Sequence, residues 1–215
     1  MKVDKIEQMK RIILSFVFSI LLVVLYGQTE NSELKMISKY AENEELSDIL
    51  WFEEIDYFKI KFVGGEELKN KSYCIRVKEF KDGILTMDTI AIDTKKMGIE
   101  RFETINDTIL SLNVIAKQTL DNKLKIMFKF PAFVATREYE TIITEDNYSL
   151  RNLADESKLP IKYNESFYLL AYILPYHMGN GYKSYCEVGQ NGKDVENWGT
   201  KFGIKHYLLF EMKIE

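Results

Sequence analysis

Apolar positions along the chain recur first at helical spacing and then at alternate residues. Residues 32–55 place Leu34, Ile37, Tyr40 and Ala41 on one helical face, with Ser32 as the capping residue. Within that stretch, residues 45–52 group Leu46, Ile49 and Leu50 opposite a set of acidic side chains. From Asp56 the period drops to two. Residues 57–63 read as a strand stopped by Gly64-Gly65, and residues 73–80 and 84–92 flank the turn Lys81-Asp82-Gly83 as a hairpin. A second hairpin joins residues 109–120 to 124–130 across Asp121-Asn122-Lys123, and Pro131 ends it. Residues 133–143 continue in β-branched and aromatic types.

Residues 146–164 are polar and contain Pro160, which predicts a long connection with a short helical turn at most. Residues 167–174 are apolar on both faces, so periodicity alone fits a buried strand or a buried helix. Asn180-Gly181 and the extended residues 182–188 set that run in a hairpin context and favour strand. Residues 189–203 read as a loop with one helical turn at 194–198, and residues 206–214 as a last strand. The pattern predicts an α+β fold of about eight strands, mainly one antiparallel sheet, with an N-terminal helical segment. Curling of that sheet into a half-barrel is one arrangement it allows.

The first 27 residues stand apart from this pattern. Met9-Lys10-Arg11 precedes a 14-residue apolar run, 12–25, broken only by Ser15 and Ser19. A secretory apolar region takes roughly 7–15 residues, whereas a membrane-spanning helix takes about 20. The segment therefore reads as a signal peptide, cleaved after the small residue Gly27. Residues 28–215 then form a single exported domain with no further membrane span. Removing four basic and two acidic residues with the leader shifts the net charge from −4 to −6. A mildly acidic domain with interspersed signs lacks a phosphate-tracking face, which argues against nucleic acid as a partner.

Candidate chemistry is sparse. His177 and His206 are the two histidines, and neither lies in a His-x-x-x-His or Cys-x-x-Cys pattern, so neither a metal nor another cofactor is expected. Cys74 and Cys186 each follow Lys-Ser-Tyr. In an exported chain they are a candidate disulfide if their strands are neighbours, and otherwise two separate buried thiols. The glycine-containing segment 189–194 lacks the spacing and the Ser/Thr of a phosphate loop. Large aromatics do fall beside glycines in predicted turns. Tyr176, His177, Tyr182 and Trp198 are accordingly the candidate binding residues, with exposed rings as anchors.

Without catalytic spacing, this composition points to a binding module for a protein or a glycan, in the periplasm or at the cell surface. A small extracytoplasmic hydrolase using carboxylates or Cys186 with His206 is the alternative, as is an immunity or inhibitor protein against a toxin. The leader itself can be checked directly: N-terminal sequencing of the exported protein is expected to read from Gln28, and a product retaining residues 12–25 in the membrane would show an anchor instead.

Overall fold

The computed structural model describes residues 34–158, 160–179, 181–185 and 194–215. The expected leader and its cleavage site, Asn180 and Cys186 lie outside these. The described chain is dominated by antiparallel strands with a few short helices. Strands β1 (Lys35–Lys39), β2 (Asp56–Val63), β5 (Ile109–Gln118), β6 (Lys123–Lys129) and β7 (Val134–Glu140) form one five-stranded sheet in the order β1-β2-β5-β6-β7. A second sheet runs β4-β3-β12-β9-β8, from β3 (Tyr73–Lys81), β4 (Ile84–Asp93), β8 (Ser149–Arg151), β9 (Ser166–Ile173) and β12 (His206–Ile214). A two-stranded ribbon pairs β10 (Tyr176–His177) with β11 (Lys183–Ser184). Among the described residues lie four short α-helices, α1 (Glu44–Phe52), α2 (Glu100–Glu103), α3 (Leu153–Ser157) and α4 (Trp198–Phe202), besides single 3-10 turns. None of the helices among the described residues is long and apolar enough to cross a membrane.

The alternation in β2 and β5 explains the first sheet. Phe58, Ile60 and Phe62 of β2 and Leu110, Leu112, Val114 and Ala116 of β5 are buried, while the residues between them face outward. The buried face meets the second sheet through ring contacts: Phe62 with Phe167 at 6.0 Å, Phe128 with Phe210 at 5.5 Å, and Tyr73 with Phe130 at 4.9 Å between centroids. The sheets therefore stack as two layers, not as one sheet curled into a half-barrel.

The second sheet is covered on both faces along most of β9 and the first half of β12. That is why β9 carries apolar residues in unbroken succession, and the expectation of a strand over residues 167–174 holds. On its outer face, Tyr207 stacks on Phe80 at 4.8 Å and lies against Trp198 at 5.9 Å. The Tyr207 hydroxyl donates to the Glu196 carbonyl oxygen at 2.7 Å and accepts from the Gly199 N–H at 3.3 Å. Leu153 and Ala154 of α3 pack onto β9. Gly199 sits against the β3–β4 turn so closely that a Cβ there would come within 2.4 Å of the Gly83 Cα.

Two expectations are corrected. Residues 34–41 are not helical. Leu34, Met36 and Ser38 alternate with more exposed neighbours, and β1 pairs with β2 from Lys35↔Val63 to Lys39↔Lys59. The positions at helical spacing also fit a strand whose one face is covered, and an available edge on β2 decides between them. Helix is confined to α1, where the Asn43 side chain accepts from the Leu46 N–H at 2.7 Å. Residues 146–164 hold more than a turn, since β8 pairs with β9 and α3 follows it.

Trp198 is fully buried, with its indole N–H unpartnered among the described residues. Trp198→Ala is expected to lower the free energy of unfolding by roughly 3–5 kcal/mol, read from urea denaturation. A loss below about 1 kcal/mol would show that this layer does not hold the outer face.

Candidate functional site

Of the four predicted binding residues, the structure gathers three and separates one. Tyr176, His177 and Tyr182 lie on or beside the β10–β11 ribbon. Tyr176 is buried against Phe202, with ring centroids 5.5 Å apart. His177 is exposed, with Nε2 2.9 Å from Asp146 Oδ2, and Lys183 pairs with the other oxygen of the same carboxylate. Tyr182 is 68% exposed. Trp198 belongs to the core and offers nothing to a partner. Its neighbouring glycine serves close packing, not exposure of the ring, and this corrects the reading of Trp198 as an exposed anchor, as the burial of Tyr176 does for that ring. Cys74 has no disulfide among the described residues and lies on β3 between Asp93 of β4 and Lys213 of β12; its expected pairing with Cys186 falls outside them.

The exposed aromatic face lies elsewhere, on α1. This helix buries none of its residues. Trp51 is 85% and Phe52 80% exposed, and Leu46 and Ile49 are exposed as well. Only Ser47 and Leu50 turn partly toward the body. Adjacent residues on a helix point about 100° apart, so Trp51 and Phe52 cannot join Leu50 on one buried stripe. That adjacency was the sequence signal for an outward aromatic pair.

Trp51 and Phe52 rim a cleft of about 500 Å³. Its polar lining comes from Asp56, Gln118, Asn147, Tyr148 and Tyr172, and Glu54 stands at its edge. These groups come from four segments: Asp56 opens β2, Gln118 ends β5, Asn147 and Tyr148 precede β8, and Tyr172 lies near the end of β9. Asp56 accepts the Leu150 N–H of β8 at 2.9 Å, which ties the two sheets together. Tyr172 projects from β9, with its ring 5.9 Å from that of Tyr148. The ribbon is fastened beside this wall, where the Tyr185 hydroxyl donates to the Asn147 carbonyl oxygen at 2.6 Å.

Burial pushes the Asp56 carboxyl up to about 6, against the opposing pull of the Leu150 N–H and the Arg151 guanidinium. Behind the cleft, the Tyr148 hydroxyl lies 2.6 Å from His206 Nδ1, and His206 Nε2 lies 3.0 Å from Glu79 Oε1. Burial lowers His206 below its ordinary value despite the Glu79 carboxylate, so the ring is neutral. Glu79 accepts only, hence Nε2 carries the proton and Nδ1 accepts from Tyr148. Both ring nitrogens are engaged and the residue is fully buried, which leaves no nitrogen to take a proton from a substrate. Among the described residues, no three His, Cys, Asp or Glu side chains gather as a metal-ligand set.

No family model, curated protein or solved structure matches the chain.

The two buried groups respond oppositely to acid. Below about pH 6.5 the unfolded chain protonates His206 while the folded one resists, so stability falls as pH falls. Between about 6 and 3.8 the folded chain protonates Asp56 first, so stability rises as pH falls. The displacement of Asp56 from 3.8 to about 6 corresponds to ~3 kcal/mol against the ionised form at neutral pH. Asp56→Asn, which keeps an acceptor for Leu150, is expected to be more stable than the parent by up to ~3 kcal/mol at pH 8. That advantage should shrink through pH 6 and vanish near pH 4, as measured by urea denaturation at each pH. An advantage independent of pH would refute the assignment.

Proposed function

We propose that the protein is an exported, non-catalytic binding module whose partner is a glycan, held in the cleft beneath Trp51 and Phe52. The observation that carries this reading is the pairing of two strongly exposed aromatic rings with a polar floor in one cleft. A pyranose ring has an apolar face of C–H groups and an equatorial belt of hydroxyls. Aromatic rings stack on the first, and carboxylate, amide and phenol groups bond the second. Asp56 and Asn147 accept from or donate to hydroxyls, and the Tyr172 phenol adds a further partner at the floor. The basic start and apolar run of residues 10–25 support export, which would give such a module access to extracellular or periplasmic glycans.

A hydrolase is the second reading, and one observation favours it. Glu54 and Asp56 both border the cleft. Asp56 is displaced toward neutral pH, and Glu54 is held at a positive φ of 53°. A carboxylic acid protonated near pH 6 is suited to protonating a leaving oxygen, with a second carboxylate as its partner.

Soluble polysaccharides in native affinity gels, followed by titration calorimetry, test the binding reading. Trp51→Ala is expected to weaken capture about tenfold or more, equivalent to ~1.4 kcal/mol or more. Stability should stay near the parent value, because the side chain is exposed. If no polysaccharide is retarded by the parent protein, the glycan reading fails. Release of new reducing ends from a retarded glycan, lost in Asp56→Asn, would replace it with the hydrolase.

A further inference from the structure

At the opposite end of β2 and β5 from the cleft, one strand outruns its neighbour. β2 pairs with β5 from Val63↔Ile109 to Asp56↔Ala116. β6 pairs with β5 only from Gln118↔Leu124 to Asn113↔Lys129. Pro131 cannot donate to a ladder, and the β6–β7 turn closes there through the Phe130 N–H to the Phe133 carbonyl oxygen at 2.9 Å. Residues 109–112 of β5 are therefore uncovered on the β6 side.

The direction of their backbone groups follows from alternation. The Gly64 N–H donates to the Thr108 carbonyl oxygen at 3.2 Å, so even-numbered residues here point toward β2. At the far end the Thr119 N–H donates to Lys123 at 2.8 Å, so odd-numbered residues point toward β6. Ile109 and Ser111 thus aim N–H and C=O at the open side. Among the described residues neither finds a backbone partner there.

A pocket of about 450 Å³ lies along this edge and includes Ile109 and Ser111 in its lining. Its wall is a run of aromatic rings: Tyr73 to Phe130 at 4.9 Å, Phe130 to Phe133 at 4.9 Å, and Phe133 to Phe102 at 5.3 Å. Arg101 lies over the Phe102 ring at 4.6 Å, and it makes no ion pair among the described residues. Lys61 borders the same pocket. Asp107 is also at the rim, but its carboxylate accepts the Thr108 N–H at 2.6 Å and the Thr108 hydroxyl at 3.3 Å. Lys61 and Arg101 outweigh Asp107, so the lining carries a net positive charge.

We propose that this edge receives an extended, acidic peptide segment of a partner protein as an added strand. The peptide backbone pairs with Ile109 and Ser111. One aromatic or branched aliphatic side chain enters among Phe102, Phe130 and Phe133, and an acidic side chain pairs with Arg101. Unpaired backbone supplies affinity and the pocket supplies selectivity, as in other strand-addition modes. The site is independent of the glycan reading, because it shares no residue with the cleft.

Random dodecapeptides displayed on phage and panned on the protein test this, with synthesised binders measured by fluorescence polarisation. Selected peptides are expected to share an aromatic residue within a few positions of an acid. Ser111→Pro removes one outward N–H and should weaken them about tenfold or more. Arg101→Glu should weaken them to a similar degree, with the parent affinity falling as salt rises. The Ile109 and Ser111 amides should exchange with deuterium quickly in the free protein and slowly with peptide bound. If Ser111→Pro does not fold, Arg101→Glu and amide protection decide the matter. Failure to enrich any peptide, or binders indifferent to both substitutions, overturns the proposal. Self-association abolished by Ser111→Pro would overturn it too, by showing that a second copy fills the edge.

Discussion

His206 holds the fold at the point where three segments of distant sequence meet. Its neutral ring bridges Tyr148, from the connection after β7, to Glu79, near the end of β3, while its own backbone begins β12. A buried polar group without partners costs roughly 1–3 kcal/mol, so the chain is stable only when all its members are paired together. Thr86 and Lys81 complete the set on Glu79, at 3.0 and 3.2 Å. Burial works to raise the Glu79 carboxyl, and the hydrogen bonds from His206, Lys81 and Thr86 outweigh it and hold it below its ordinary value. Once Tyr148 is fixed, the two residues after it deliver the Leu150 N–H to Asp56 and the β8 edge to β9. The cleft floor is thus a by-product of this buried chain, and its geometry is inherited from the core.

The hairpins were legible because their signals are local. Asp82-Gly83 and Asp121-Asn122 mark turns whose flanking residues alternate, and Asp82, Gly83 and Asn122 do adopt positive φ. β9 was legible as buried by its apolar density, and β12 as a last strand. What escaped was everything decided at a distance. Residues 34–41 satisfy a helical and an extended pattern equally, and only the free edge of β2 makes them a strand. Trp198 follows polar residues and precedes a glycine, a context that resembles an exposed turn. The glycine is there because the turn at Gly83 presses against it, and no sequence pattern reports that contact. On α1 the grouping of Leu46, Ile49 and Leu50 leaves Trp51 and Phe52 unassigned, and their adjacency on a helix keeps both off one buried stripe. The polar floor was not legible at all, since Asp56, Gln118, Asn147 and Tyr172 come from four separate segments.

The two candidate surfaces have a common origin. β2 and β5 form the longest matched pair of the first sheet; β2 outruns β1 at one end and β5 outruns β6 at the other. At one end the overhang is capped by α1 and the Tyr148 segment, which leaves a cleft. At the other the β6–β7 turn falls short, which leaves open backbone beside aromatic rings. Mismatched strand lengths are costly in a sheet unless something covers them, and here the first overhang is roofed by the chain itself.

The position of β12 also governs when the molecule can assemble. The first sheet draws all its strands from residues 35–140, in an order that local hairpins nearly dictate. The second cannot close until residues 206–214 exist, because β12 is the strand that joins β3 to β9. A chain emerging from a ribosome or a translocation pore would thus expose the edge of β3 for most of its passage, and that of β9 over the last part of it. Such edges recruit other chains when left waiting. The last strand is therefore the timing element of the fold, and the interval before it arrives is when a holding chaperone would have the most to protect.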